Sequence, residues 1–444
     1  MKPINYDIET YGCKVNSYDS GLLQKRLAMG GYVRDAKTPS VHILNTCAVT
    51  EEATKEALRR IRRLKAKNPL STVVVTGCGA QVDTEKFDAY PGADLVVANS
   101  HKGQLEDLIK KHMRGELRQK VFKSNIFKKL DLEAGGGKEQ SHTRSFLKIQ
   151  DGCNSFCTFC VIPFARGKSR SISIDEIVNR VNVLFEESVR EVVITGVHIG
   201  DYQDDFFGEN NIRGLEDLLE QLLLRTRMPR FRISSLEPPE LSTRLLNLFK
   251  DERICPHFHM SIQSANTKVL AEMKRKYTAE NVQECLNRIG VEVPGAFVGM
   301  DVIVGFPGET PTEFQDTLER LKDSYWTKIH VFPYSERPGT WANKLPGKLY
   351  RSEIMDRAKV LRQVSQDRYT QAALEQVGKI KKVILLNGQN PLNQQVLSQD
   401  YWNIQMPQDQ LLDGLGEEFE IKVMGFDPSH QSRLEGCHWG ERIN

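Results

Sequence analysis

The chain has 444 residues, 39% of them apolar and 27% charged, with a formal net charge of +3. An ordinary composition over the length of about three domains excludes disordered and collagen-like chains. No apolar run approaches the roughly 18 residues that cross a bilayer, and the opening residues lack the apolar core of a signal peptide, so a cytoplasmic protein without membrane contact is expected. In that reducing compartment the nine cysteines, an odd number, are candidates for metal ligation or catalysis rather than disulfides.

Charge is unevenly spread. Residues 1–140 carry 24 Lys/Arg against 17 Asp/Glu, whereas residues 376–444 carry 6 against 9. Lys55, Arg59, Arg60, Arg62, Arg63, Lys65 and Lys67 fall on one helical stretch, which fits either a polyanion partner such as RNA or a solvated helix face.

From the N-terminus, short β-rich runs alternate with helical patterns. Tyr6–Thr10, Val41–Thr46, Thr72–Thr76 and Asp94–Ala98 are the predicted strands, with helices from about Ser17 and Glu51, the signature of a parallel α/β sheet. Asp131 to Ser141, containing Gly135, Gly136 and Gly137, reads as a linker. A second series of strands follows: Phe146–Gln150, Glu191–Thr195, Phe231–Leu236, Phe258–Gln263, Val298–Val304 and Lys328–Tyr334. Each gap has room for one helix, so the spacing predicts a partial (β/α)6 barrel related to the eightfold one. After a helical stretch from Ser352 to Gln376, the runs Lys382–Asn387, Tyr401–Met406 and Phe419–Val423 predict a small β-barrel. The expected division is an α/β sheet domain over 1–130, a linker over 131–142, a barrel domain over 143–375 and a C-terminal β-barrel over 376–444.

Three cysteines, Cys153, Cys157 and Cys160, lie in a C-x3-C-x2-C spacing just after the first barrel strand. Structural zinc usually takes four protein ligands, whereas three close thiolates on one loop suit an iron–sulfur cube whose fourth iron stays open to a small cofactor. The C-terminal end of a parallel barrel is where such folds place chemistry. Cys13, Cys47 and Cys78 each follow a strand of the N-terminal sheet and would share one edge of it. Each alone reads as a small buried hydrophobe, but three in register point to a second metal cluster in the crevice. Cys255, Cys285 and Cys437 lack such placement and read as core packing.

At these residues the sequence resembles the radical S-adenosylmethionine methylthiotransferases. The resemblance runs through Gly12-Cys13-Lys14-Val15-Asn16, Asn45-Thr46-Cys47, Thr76-Gly77-Cys78, the 153–160 triplet, Ser261-Ile262-Gln263-Ser264 and the run DVIVGFPGET at 301–310. It implies an N-terminal domain holding an auxiliary [4Fe-4S] cluster on Cys13, Cys47 and Cys78. It further implies a radical-SAM barrel holding a second [4Fe-4S] cluster on Cys153, Cys157 and Cys160 together with S-adenosylmethionine, and a C-terminal TRAM domain, an OB-like barrel. The Lys14-Val15 pair looks like the branch acting on N6-threonylcarbamoyladenosine at position 37 of tRNA. Two related readings change only the substrate, to isopentenyladenosine in tRNA or to an aspartate of a ribosomal protein; a third is a non-catalytic, zinc-stabilised RNA-binding protein.

The resemblance implies that one electron cleaves S-adenosylmethionine and that the resulting radical takes hydrogen from C2 of the adenine. That C–H has no useful acidity, so acid–base groups cannot open it. Sulfur would come from the auxiliary cluster and the methyl group from a second S-adenosylmethionine, so the sheet should pack its carboxyl edge over the barrel mouth. The electron would come from a donor such as flavodoxin or ferredoxin, and a monomer is expected because no heptad or long apolar stripe calls for an obligate partner.

Other contacts follow from strand ends. Phe159, inside the cysteine loop, is expected over the cofactor's adenine, and Thr195 with Gly196 near its amino group. Ser235, Glu237, Gln263 and Arg275, the last placed on the helix after the fourth strand, offer polar groups for ribose and carboxylate, while Gly305 and Phe332 end the fifth and sixth strands. Each also fits a barrel-rim role without a ligand, and Arg275 a surface ion pair. Arg166, Lys168 and Arg170 would either meet tRNA phosphate or cap a helix, and Lys379, Lys381 and Lys382 would form a basic edge. His198, His257, His259 and His330 read as structural.

Overall fold

Val41–Thr46 and Thr72–Thr76 are apolar and β-branched on both faces, and nearly every residue in them is buried, as strands covered by helices on both sides require. They form the centre of a six-stranded, wholly parallel sheet in the order Val33–Arg34, Asn5–Thr10, Val41–Thr46, Thr72–Thr76, Leu95–Ala98, Val121–Phe122. The computed structural model describes residues 3–130, 132, 144–204, 212–386, 394–407, 418–429 and 436–443. The two outermost strands have two residues each, too short for any periodicity to announce. The direction of winding reverses between Asn5–Thr10 and Val41–Thr46, and such a switch point opens a crevice at the carboxyl ends of the strands. Helix Glu51–Lys67 starts where the Thr50 side chain accepts from the Ala53 amide at 3.2 Å, and it buries Thr54, Ala57, Ile61 and Leu64 against the sheet.

The second unit is the expected partial barrel. Its six parallel strands are Arg144–Lys148, Glu191–Thr195, Arg230–Ile233 continued by Ser235–Leu236, His257–Gln263, Phe297–Val304 and Lys328–Pro333, in sequence order across two hydrogen-bonded sheets. The barrel is open between its first and last strands. Helix Lys14–Met29 of the sheet domain packs along the first, and helix Arg351–Leu374 packs along the last. Leu132 packs on the barrel core; the rest of the expected linker, 131 and 133–142, lies outside the described residues.

At the C-terminus five strands close into a barrel in the order Ile380–Leu386, Gln395–Ser398, Asn403–Gln405, Cys437–Arg442, Glu418–Asp427. Gln395–Ser398 and Cys437–Arg442 escaped the sequence reading. Val396, Leu397 and Cys437 are buried, so these strands carry core residues, but both are short and flanked by polar runs. No helix among the described residues is long and apolar enough to cross a membrane.

Buried charge joins the sheet domain to the barrel. Asp19 accepts from Lys148 Nζ at 2.7 Å, Lys102 Nζ at 3.1 Å and Arg166 Nη2 at 3.1 Å, while Asp151 accepts from Arg166 at 2.9 Å and Lys148 at 3.2 Å. The three cations hold the Asp19 carboxyl well below the usual range, against the burial that raises it. Asp83 of the sheet domain meets Arg337 at 2.6 Å on the far side of the interface. The C-terminal barrel is held differently. Arg230 and Arg232 bond the carbonyls of Leu397, Ser398 and Gln399, with Arg232 also paired to Glu191.

Candidate active site

Two glycines let the ends of three sheet strands close on one another. Gly12 has φ +96°, and a Cβ there would fall 2.8 Å from the Cys47 sulfur; Gly77 has φ +92°, and its Cβ would fall 2.5 Å from Asn45 Oδ1. Asn16 then donates to the carbonyls of Tyr11 at 2.8 Å and Thr46 at 3.1 Å, and Asn45 donates to Asn16 O at 2.9 Å. These contacts gather Cys13, which is exposed at the start of helix Lys14–Met29, with the buried Cys47 and Cys78. Burial pushes the Cys47 thiol up to about 11, and the neighbouring charges of Cys78 and Cys13 add to it, so the three sulfurs share one electrostatic environment. The Val49 amide donates to Cys47 Sγ at 3.4 Å and Asn99 Nδ2 to Cys78 Sγ at 3.6 Å.

Cys153, Cys157 and Cys160 occupy the loop before helix Ile162–Arg166. The loop is wound tightly enough to put Phe156 at φ +48°, a strained value for a large side chain. Its exposed ring stacks on Phe127 at 6.2 Å, and Phe127 meets Phe164 edge-on at 5.9 Å. Thr158 anchors the middle, donating to the carbonyls of Met273 and Glu272 and accepting from the Ala342 amide. Burial pushes Cys160 up to about 12, with Cys157 and Cys153 adding to the rise. A ring of polar contacts surrounds these thiols. His198 Nδ1 lies 3.8 Å from Cys153 Sγ and its Nε2 3.5 Å from Glu237; Glu237 pairs with Arg275 at 2.8 Å; and Arg275 Nη1 donates to Cys157 Sγ at 3.1 Å. None of the nine cysteines is in a disulfide.

Between the two triads lies a cleft of about 190 Å3, bounded by Val49 and Thr50 from the sheet edge and by Phe159, Cys160, Gln263, Asp301, Ile303, Phe332 and Tyr334 from the barrel. The sheet's carboxyl edge thus covers the barrel mouth, and Ser335 accepts from the Glu51 amide at 3.4 Å across the gap. Below, Asp301 pairs with His259 at 3.0 Å, and the His259 ring lies 5.5 Å from that of His330. Asp301 and Ile303 were missed; their alternation along Phe297–Val304 is the signal that would have marked them as facing inward.

The other expected residues divide. Phe159, Gln263 and Phe332 line the cleft. Glu237 and Arg275 ring the loop triad, but Arg275 is in the turn after helix Thr267–Glu272 rather than on it, because Lys274 at φ +61° ends the helix. Thr195 is buried at its strand end, where its carbonyl accepts from Ile149, and Ser235 pairs in register with His259. Gly196 is pressed against Gln150, whose Oε1 would lie 3.0 Å from a Cβ, and Gly305 against Ile354 at 2.6 Å. Packing alone therefore explains both glycines. His198 is the functional neighbour that sequence reasoning passed over; its position two residues beyond Gly196 is the only signal it offered.

The basic residues also need correction. Arg166 is only 3% exposed and spent on Asp19 and Asp151, so it cannot reach phosphate, and Arg170 bonds the carbonyls of Lys168 and Arg166. Lys381 and Lys382 are paired with Asp400 and Glu252, which removes the expected basic edge of the C-terminal barrel. On helix Glu51–Lys67, Arg62, Arg63 and Lys67 are exposed and have no ion pair among the described residues.

Residues 147–321 match the Radical SAM superfamily and residues 5–98 match Uncharacterized protein family UPF0004. A threonylcarbamoyladenosine tRNA methylthiotransferase MtaB of Aquifex aeolicus is 36% identical over 382 residues, covering 85% of this chain and 92% of its own. The chain belongs to the radical S-adenosylmethionine tRNA methylthiotransferases. The MtaB of Bacillus subtilis is 37% identical over 76% of this chain and 74% of its own. A tRNA-2-methylthio-N(6)-dimethylallyladenosine synthase of Desulfotalea psychrophila is 32% identical over 79% and 81%. In fold alone, the chain is similar to the radical S-adenosylmethionine methyltransferase TsrM of Kitasatospora setae, with a TM-score of 0.53 at 14% identity over 77% of this chain and 75% of that one. Methylthiotransferases of this family act on tRNA with S-adenosylmethionine and a [4Fe-4S] cluster, which sets aside the non-catalytic zinc protein and the ribosomal substrate.

Proposed function

We propose that this tRNA methylthiotransferase acts on N6-threonylcarbamoyladenosine at position 37, converting it to the 2-methylthio derivative, with a radical cluster on Cys153, Cys157 and Cys160 and an auxiliary cluster on Cys13, Cys47 and Cys78. The observation that carries the reading is the single cleft shared by the two triads, with Cys160 in its wall and Val49 and Thr50, just past Cys47, opposite. In this reading residues 1–130 carry the auxiliary site, 143–375 the radical site and 376–444 the TRAM barrel.

The donor sets fit. Each triad is three unpaired thiols in one environment, and each has amide or guanidinium N–H groups aimed at sulfur, as cluster thiolates require. When bound, the loop cluster supplies the electron that cleaves S-adenosylmethionine, and the sheet-edge cluster supplies sulfur. The chain's own groups do the rest. Phe159 and Phe332 offer aromatic faces to adenine rings, Gln263 and Asp301 offer polar groups within the cleft, and the apolar walls with the overlying sheet edge keep water from a reactive radical. Arg62, Arg63 and Lys67 offer an unpaired basic face to the tRNA backbone.

The test is anaerobic loading with iron and sulfide, then incubation with reductant, S-adenosylmethionine and tRNA bearing N6-threonylcarbamoyladenosine, with mass analysis of the digested nucleosides. A methylthio nucleoside is the expected product. Unchanged nucleoside alongside cleaved cofactor would move the substrate to isopentenyladenosine, which the same incubation with tRNA carrying that base would reveal.

A further inference from the structure

One cation beside the cleft has no counter-ion. Lys14 follows Cys13 at the sheet edge and lies deep in the protein among Arg144, Arg232, Asp301 and Tyr401, yet part of its surface still borders open space. No carboxylate among the described residues is within ion-pairing distance of it. Asp301 is held by His259 at 3.0 Å, and Glu191 is shared by Arg144, Arg230 and Arg232. Two neighbours report the resulting positive potential. Burial raises the Tyr401 phenol, yet Lys14, Arg144 and Arg232 bring it below its ordinary value; and His257 is held well below its own by burial, Arg232 and Lys14. Asp301 also lines the cleft, so the space around Lys14 and the cleft share a wall.

A deep ammonium without a partner is costly, and the cost is recovered when a bound anion supplies the missing charge. C2 and N6 belong to the same six-membered ring, so an adenine whose C2 faces Cys13 keeps its N6 arm within a side chain's length of the next residue. We propose that Lys14 binds the carboxylate of the N6 substituent, pairing with the threonyl group of N6-threonylcarbamoyladenosine. The inference rests on the substrate reading above and deepens it. An isopentenyl arm brings no charge and would leave the ammonium unpaired and desolvated, so the same residue selects against that base.

The test reads binding rather than turnover. The full chain, loaded with iron and sulfide, is titrated with three anticodon stem-loops whose position 37 carries N6-threonylcarbamoyladenosine, its methyl ester or unmodified adenosine. The native protein should favour the acid over the ester about tenfold or more, the scale of a lost charge-assisted contact. Lys14→Met and Lys14→Gln should erase that preference, Lys14→Arg should keep most of it, and iron content should match the native protein in all three. A preference that survives in Lys14→Met and Lys14→Gln overturns the assignment. A native protein that favours acid and ester equally over adenosine overturns it too, while the substrate reading stands. If the native protein favours neither over adenosine, the substrate reading falls and the inference with it.

Discussion

Cys153, Cys157 and Cys160 reach the cleft on one loop; Cys13, Cys47 and Cys78 reach it from the ends of three strands. The loop triad is shaped locally, by the strained turn at Phe156, its aromatic neighbours and the anchoring of Thr158. The sheet-edge triad depends on strand register, on close approach at Gly12 and Gly77, and on Asn16, which binds the loops after two strands while accepting from Arg166 of the barrel at 2.6 Å. Loosening the domain interface should therefore disturb the second triad and spare the first.

The sharpest separation comes from the cysteines themselves. Cys153→Ser should bring cofactor cleavage down to the uncatalysed background, whereas Cys47→Ser should keep cleavage and lose only the methylthio product, which assays of 5′-deoxyadenosine and of modified nucleoside distinguish. Equal loss of cleavage in both would break the division of labour.

The next largest effect tests the interface. Asp19→Ala leaves Lys148, Lys102 and Arg166 facing one another without their shared carboxylate, and removing one partner of a buried pair costs about 3–5 kcal/mol. Thermal unfolding should shift accordingly, and iron should be lost from the sheet-edge site before the loop site. Iron leaving both together would mean that the loop triad also depends on the interface.

Acid provides a control at the other junction. Burial raises the Glu191 carboxyl, but Arg232, Arg144 and Arg230 outweigh it and bring it down from 4.5 to about 2. A depressed carboxylate contributes stability that is complete above its unfolded value and is lost as pH falls through the folded one. That shift is worth about 3 kcal/mol by linkage. Unfolding free energy should fall between about pH 4.5 and 2 in the native protein and fall less steeply in Glu191→Gln, as measured by denaturant titration at each pH. An equal slope in the two would show that the arginines at the C-terminal barrel are satisfied by its carbonyls alone.

Smallest is the effect of the exposed basic face. Replacing Arg62, Arg63 and Lys67 with Ala should weaken tRNA binding several-fold and flatten the salt dependence by about 0.7 to 0.9 for each side chain that meets a phosphate. Cofactor cleavage without tRNA should be unchanged, since these residues lie on the outer face of helix Glu51–Lys67.

Spacing and periodicity are properties of a line, and whatever depends on them alone was legible. The loop triad, the parallel sheet, the six barrel strands and the closed C-terminal barrel could all be anticipated, because each rests on neighbours in sequence or on a repeating pattern. The sheet-edge triad was visible only as three equivalent positions. That the three meet was decided by the two strained glycines and by Asn16. Other assignments went wrong where a charge chose its partner across domains. Arg166 read as a phosphate contact, yet it is buried on an aspartate 147 residues away, and Lys148 meets the same carboxylate over 129 residues. Lys14 read only as a branch-specific letter beside a cysteine. What the sequence determined by itself is which side chains are available and in which local setting; which buried charges are matched, and that Lys14 is left unmatched, was decided by the packing of three domains, because a low-dielectric interior pairs groups by distance in space and takes no account of distance along the chain.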